Sequence, residues 1–268
     1  MKYYPIALFC GVTLIGAASV SAASLSDAGS PETCRDHTAI PASTVDTLKR
    51  QAHCGHADAQ YALGERYEYG DEVSEDSQLA RRWYQRAAEQ GHIEAQMSLA
   101  WLLDDKTEAA HWLNRAADQG DQTAQYNLAW AYIRGVGVAV DYQLARKWFT
   151  LAARQGSANA QNALGYILHH GGPGLQPDPV EASHWYRQAL RQKHPLTPGN
   201  LADLANENPE IILDRARTLF AAPGSNTPHI ARLKPGETVH ALKQQDGWTA
   251  VILDDRRTMG WIKDAVTN

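Results

Sequence analysis

"GDQTAQYNLAWAYIRGVGVAVDYQLARKWFTLAARQ" fills residues 120–155, and the fold turns on how it is read. Gly135 and Gly137 open a stretch rich in aromatic and basic residues. A Gly-x-Gly turn feeding a helix is one way to cradle a phosphate. Two facts exclude that reading here. Position 140 is Val, so Gly-x-Gly-x-x-Gly is not completed. The preceding "TAQYNLAWAYIR" has a helical pattern, where a dinucleotide fingerprint needs a strand. Gly135 and Gly137 are therefore expected to reverse the chain between two helices.

The same pattern recurs on both sides. Aligning on Gly55, Gly91, Gly120 and Gly156 gives spacings of 36, 29 and 36 residues. Ala-Gln appears at Ala59-Gln60, Ala95-Gln96, Ala124-Gln125 and Ala160-Gln161. Leu63, Leu99, Leu128 and Leu164 follow, each before a small residue. Further on, Ala80, Ala109, Ala145 and Ala182 each stand three residues before a Trp that leads an aromatic or leucine. A period in this range marks a stack of repeats.

Each block encodes two helices. Ala59, Leu63 and Tyr67 stand four apart and share one face. Ala80, Trp83-Tyr84 and Ala87-Ala88 form the apolar stripe of the second helix. The block glycines follow the second helices and suit left-handed C-caps. One hairpin cannot bury both stripes, so the hairpins must stack into a solenoid.

The third block fits a known pattern residue by residue: Ala124, Leu128, Tyr132, Gly135, Gly137, Val138, Asp141, Ala145, Trp148, Phe149, Ala152, Ala153 and Gly156. The string resembles the Sel1-like repeat, a relative of the tetratricopeptide repeat. The resemblance covers residues 55–192, divided 55–90, 91–119, 120–155 and 156–192, roughly half the chain. The second block lacks the glycine loop, so its turn "DDKT" must be tight.

The flanks differ. Residues 1–22 have one early lysine, an apolar run from Ile6 to Ala18, and Val20-Ser21-Ala22 at the end. They read as a cleaved signal peptide, the run being short for a membrane span. Bulky Phe9 argues against lipidation of Cys10. Export implies a periplasmic or secreted protein and leaves Cys34 and Cys54, expected to form one disulfide. That bond closes a loop of about twenty residues and contributes ~3 kcal/mol on the chain-entropy account. The nearby "HCGH" (His53 to His56) offers at most three metal ligands, with no matching pair elsewhere. Residues 23–54 then hold an N-terminal segment and a capping helix. Ser43 with Asp46 starts that helix, and Leu48 and Ala52 match Tyr84 and Ala88. Residues 193–210 supply a short closing helix and linker.

Beyond Pro209 the period changes to short β-rich runs separated by turn residues. Residues 211–268 resemble a bacterial SH3-like (SH3b) barrel through Pro223, Leu233, Gly236, Val239, Gly247-Trp248, Val251 and Gly260-Trp261-Ile262. Each Trp is expected to open a strand with its ring toward the barrel. Thr218-Leu219-Phe220 replaces the usual Asn-Val-Arg, which weakens the case for ligand binding along that edge. The fold class is thus α+β: a helical solenoid followed by a small all-β barrel.

The net charge of −5 disfavours nucleic acid as a partner. Nucleophile, zinc-protease and phosphate-loop motifs are absent from the sequence. No cofactor or metal is called for. His111 and His184 read as an exposed polar column; His169-His170 could bind metal but read rather as a polar pair facing a loop, since metal sites need converging groups. The resemblance places a concave groove along the first helices. Counting from each glycine, offset six gives Tyr61, Met97, Tyr126 and Asn162; offset ten gives Glu65, Trp101, Trp130 and Tyr166. Four residues apart, these share a face. Aromatics recurring where the repeat does not demand them point to an interface, with Asp58, Glu65 and Glu68 as a negative rim. The expected function is a non-enzymatic adaptor for an envelope or host protein, with residues 211–268 contacting a second protein or peptidoglycan. The alternatives are a hydrolase of peptidoglycan or β-lactams, and a cell-wall-binding module.

Overall fold

A computed structural model describes residues 45–224, 226–255 and 257–263. Within them, helix α1 (Val45–His53) precedes four helical pairs. These are α2 (Ala57–Tyr69) with α3 (Ser77–Glu89), α4 (Ile93–Leu102) with α5 (Lys106–Asp118), α6 (Gln122–Arg134) with α7 (Tyr142–Arg154), and α8 (Ala158–His170) with α9 (Pro179–Arg191). Helix α10 (Thr197–Asn206) closes the array. Six strands follow: β1 (Glu210–Ile212), β2 (Arg217–Phe220), β3 (His229–Leu233), β4 (Thr238–Gln245), β5 (Trp248–Leu253) and β6 (Met259–Lys263).

The helix boundaries have local causes. Asp76, Asp105, Asp141 and Asp178 cap the second helices by accepting backbone N–H groups of the first turn. The block glycines take φ values of 92 to 95°. There the next residue reaches back over the helix end: His92 N–H donates to Ala87 O at 3.1 Å and Asp121 N–H to Ala116 O at 3.2 Å. Lys193 adopts φ 59° at the fifth such place, with His194 N–H on Ala189 O at 3.1 Å. Helix α10 therefore leaves α9 as every first helix leaves the second helix before it.

The recurring Ala-Gln pairs also find their reason. Gln60, Gln96, Gln125 and Gln161 are buried. Each donates its amide to a carbonyl of the preceding helix, that of Ala52, Ala88, Ala117 or Ala153, at 3.0 to 3.2 Å. Each accepts from the glutamine ending its own repeat, Gln90, Gln119, Gln155 or Gln192, at 2.7 to 2.8 Å. In the first and fourth repeats the small residue after the leucine makes room for a ring. A Cβ on Gly64 or Gly165 would come within 2.6 Å of the buried Tyr84 or Tyr186. The Gly135–Gly137 loop is a turn packed on its neighbour. Gly137 has φ 72°, and a Cβ there would run into the Lys106 carbonyl at the start of α5. In the shorter second block the turn is Leu103 to Asp105, and Lys106-Thr107 are already helical. Helix α1 buries Leu48 and Ala52 against Leu63 and Trp83. Ser43, expected to start α1, lies outside the described residues, as do residues 1–22 and Cys34.

The strands form one antiparallel sheet in the order β1-β4-β5-β6-β2-β3. Leu213, Leu219, Leu233, Val239, Val251 and Ile262 make a core of their own on one face. The other face joins the helices. Leu242, Ala250, Ile252 and Trp261 belong to the same buried cluster as Trp185, Leu201 and Ala205 of α9 and α10. A bulge between Ala241 and Lys243 lets Leu242 join that cluster. The Ser183 hydroxyl of α9 also meets the Met259 sulfur. This corrects the expectation for the tryptophans. Trp248 opens β5, but Trp261 is the third residue of β6. Both rings side with the cluster shared with the helices, not with the sheet's own core.

Candidate functional site

The residues at offsets six and ten divide by exposure. Trp101 is 57% exposed and Tyr166 43% exposed. Tyr61, Glu65, Met97, Tyr126 and Trp130 are half-buried, and Asn162 is buried. Tyr126 and Trp130 gather on Phe149 of α7, with ring centroids 5.7 and 5.4 Å from it. The Arg134 guanidinium lies 5.0 Å from the Trp130 ring centroid. Met97 packs against the same core. Trp101 lies one residue before the end of α4 at Leu102, and the second helix of its repeat offers Leu113 where that of the third offers Phe149. At the fourth repeat, α10 takes the offset-six place: Thr197 Oγ1 and Asn200 Nδ2 both donate to Asn162 Oδ1 at 2.9 Å.

The first repeat is more polar. Tyr61 stacks on His92 with centroids 4.7 Å apart and donates to Glu65 at 2.9 Å. Burial, then the Glu65 carboxylate, push the Tyr61 hydroxyl up to about 12. Tyr84 donates to Glu68 at 2.5 Å, and burial with that carboxylate raises its pKa as well. Asp58 and Glu94 lie 3.5 and 3.3 Å from the His92 ring nitrogens. Of the three carboxylates Asp58, Glu65 and Glu68, the last two are engaged by tyrosine hydroxyls.

His111 and His184 are exposed beside Trp112 and Trp185, as the polar-column reading expects. The loop-facing reading of His169-His170 is corrected. Both lie in the last turn of α8, and His169 is buried. Its Nε2 pairs with Glu207 Oε2 at 2.9 Å, and its ring stacks on His170 at 4.3 Å. His170 in turn meets Tyr166 edge-on at 4.3 Å. The sequence marks the two histidines but not Glu207, which comes into reach only because α10 folds back. Cys54 is disulfide-bonded. No helix of the described residues is long and apolar enough to cross a membrane.

These features find counterparts in known proteins. The Sel1 repeat model matches residues 57–92, 94–121, 122–157 and 158–194, about half of the chain. The chain belongs to the Sel1 repeat family. That family consists mostly of non-enzymatic scaffolds for protein interaction. Chitin synthase regulatory factor 3 of Schizosaccharomyces pombe is 35% identical over 63% of this chain and 15% of its own. An uncharacterised protein of Neisseria meningitidis serogroup B is 33% identical over 58% of this chain and 34% of its own. Among solved structures, a protective antigen of uropathogenic Escherichia coli matches with a TM-score of 0.54 and 32% identity, covering 60% of this chain and 35% of that one. A Sel1 repeat protein from Oxalobacter formigenes matches with a TM-score of 0.52 and 32% identity, covering 60% and 68%. The chain spans 8 to 34% of the length of four curated relatives that it matches.

Proposed function

We propose that this chain is an exported, non-enzymatic adaptor that holds a protein partner along its first helices. The observation that carries this is the exposure of Trp101 and Tyr166 at equivalent positions of two repeats, with Trp130 half-buried at the repeat between them. Such rings are the anchors that interfaces favour. The acidic first repeat favours a partner segment with basic as well as apolar residues. Relatives named as regulatory factors of chitin synthase support a role exerted on another protein. The disulfide at Cys54 supports an oxidising compartment, periplasmic or extracellular. The C-terminal sheet, read as an SH3b-like domain, contacts a second protein or peptidoglycan through the surfaces that the helices leave free.

A photo-crosslinking residue at position 101 tests this in intact cells. A discrete adduct is expected, weakened by Tyr166→Ala and absent when the crosslinker stands at Arg154 on a second helix. No adduct at 101, or the same adduct at both positions, would sink the reading. Turnover of labelled muropeptide by the purified protein would replace it with a hydrolase.

A further inference from the structure

We infer that His169, His170 and Glu207 form a binding site for a divalent transition-metal ion, zinc by its chemistry, where the end of α8 meets the end of α10. One ligand atom from each residue lies within 4.8 Å of the other two. His169 and His170 are neighbours on α8, while Glu207, just past the end of α10, joins them only through the tertiary fold. His169 Nε2 and Glu207 Oε2 are 2.9 Å apart. Two ligands of one tetrahedral zinc, each at ~2.0–2.1 Å, stand roughly 3.3 Å apart. The pair needs only a slight spread to admit the ion.

The surroundings suit a cation. The His169 side chain is 4% exposed and anchors the inner side, while His170 and Glu207 are exposed and leave a way in. His169 Nδ1 is buried without a hydrogen-bond partner among the described residues, so the ring engages its surroundings through Nε2. The C-terminal end of α8 adds the negative pole of the helix. Two imidazoles and one carboxylate fit zinc better than magnesium or calcium, which take oxygen ligands. Three protein ligands leave the fourth tetrahedral position for water or for a group on a bound molecule. His170, the outward ligand, meets Tyr166 edge-on, so the cluster adjoins the exposed ring of the fourth repeat.

The test uses metal-stripped, tag-free full-length protein titrated with zinc chloride by calorimetry, and with cobalt(II) followed by visible absorption. One equivalent of zinc is expected to bind, with cobalt giving the intense bands of a tetrahedral site. His170→Gln and Glu207→Gln should each weaken binding by at least about tenfold, since even changes behind a metal ligand cost that much. Both positions are exposed, so unchanged melting of the metal-free variants separates lost ligation from lost folding. His111→Gln, at an exposed histidine elsewhere, should leave binding intact. Failure of the wild type to take up zinc, or uptake equal in both variants, would reduce the cluster to a hydrogen-bonded pair.

Discussion

Gln155 Nε2 donates to Gln125 Oε1 at 2.8 Å, while Gln125 hands its own amide to the Ala117 carbonyl at 3.2 Å. One side chain thereby ties the end of its repeat to the helix before it. Gln125→Ala leaves the Ala117 carbonyl without that bond. Ala117 O keeps the Gly120 N–H at 3.0 Å, and Gln155 Nε2 keeps Gly120 O at 3.0 Å, so two bonds are lost but neither partner is orphaned. Stability should fall by about 1–3 kcal/mol, at ~0.5–1.5 kcal/mol per bond. Urea unfolding would measure it. An effect near zero would mean that water enters and replaces the bond.

The aromatic row should behave unevenly. Trp101→Ala removes an exposed ring and should change stability by less than about 0.5 kcal/mol. Trp130→Ala removes a ring packed on Phe149 and Tyr126, and should cost roughly 2–3 kcal/mol, somewhat under the figure for a full core aromatic. Thermal melts of the two variants side by side give the comparison. Equal losses would contradict the exposure difference between these positions.

Gly137 and Gly174 both have positive φ, 72 and 74°. Only Gly137 faces a neighbour, the Lys106 backbone, while nothing lies within 4 Å of a Cβ on Gly174. Gly174→Ala should cost about 1 kcal/mol, from backbone conformation alone. Gly137→Ala should cost at least twice that in the same denaturant series, because the loop must move off α5.

Burial holds the His194 pKa below its ordinary 6.5. Its Nδ1 lies 3.1 Å from Thr197 Oγ1 at the start of α10. The unfolded chain takes up this proton more readily than the folded one. The contribution is therefore fully present above pH 6.5 and declines as the pH falls from there toward the folded value. Melting temperature followed from about pH 7 to about pH 5 should drop, and His194→Gln should make the drop shallower. A steeper slope in the variant would reverse the sign of the argument.

The cluster shared by α9, α10 and the sheet predicts that helices and strands unfold together. Trp261→Ala, taking a buried ring from that cluster, should destabilise by about 3–5 kcal/mol. It should also split the single unfolding transition into two, seen by calorimetry. Two transitions already present in the wild type would show that the cluster does not couple the parts.

The repeat was legible because its signals are local and recur. Asp76, Asp105, Asp141 and Asp178 mark helix starts, and the Ala-Gln pairs mark the first helices even before their bonds are known. The face of the sheet was not legible. Thr249, Ala250, Val251 and Ile252 are all buried, and alternation cannot choose an inner side when both sides are covered. The helical period placed Trp101 and Trp130 on equivalent positions, but their burial depends on where each helix ends and what its partner offers. His169 and Glu207 meet across 38 residues because α10 turns back, which no short spacing records.

The docked sheet also closes one end of the array. A stack of helical hairpins has no inherent end: each last helix offers the stripe onto which another repeat, or another copy, could grow. Here that stripe on α9 is taken up by α10 and by Leu242 and Trp261 of the sheet. Helix α10 and the sheet together act as a stopper at that end of the stack, covering the surface onto which a further hairpin would pack.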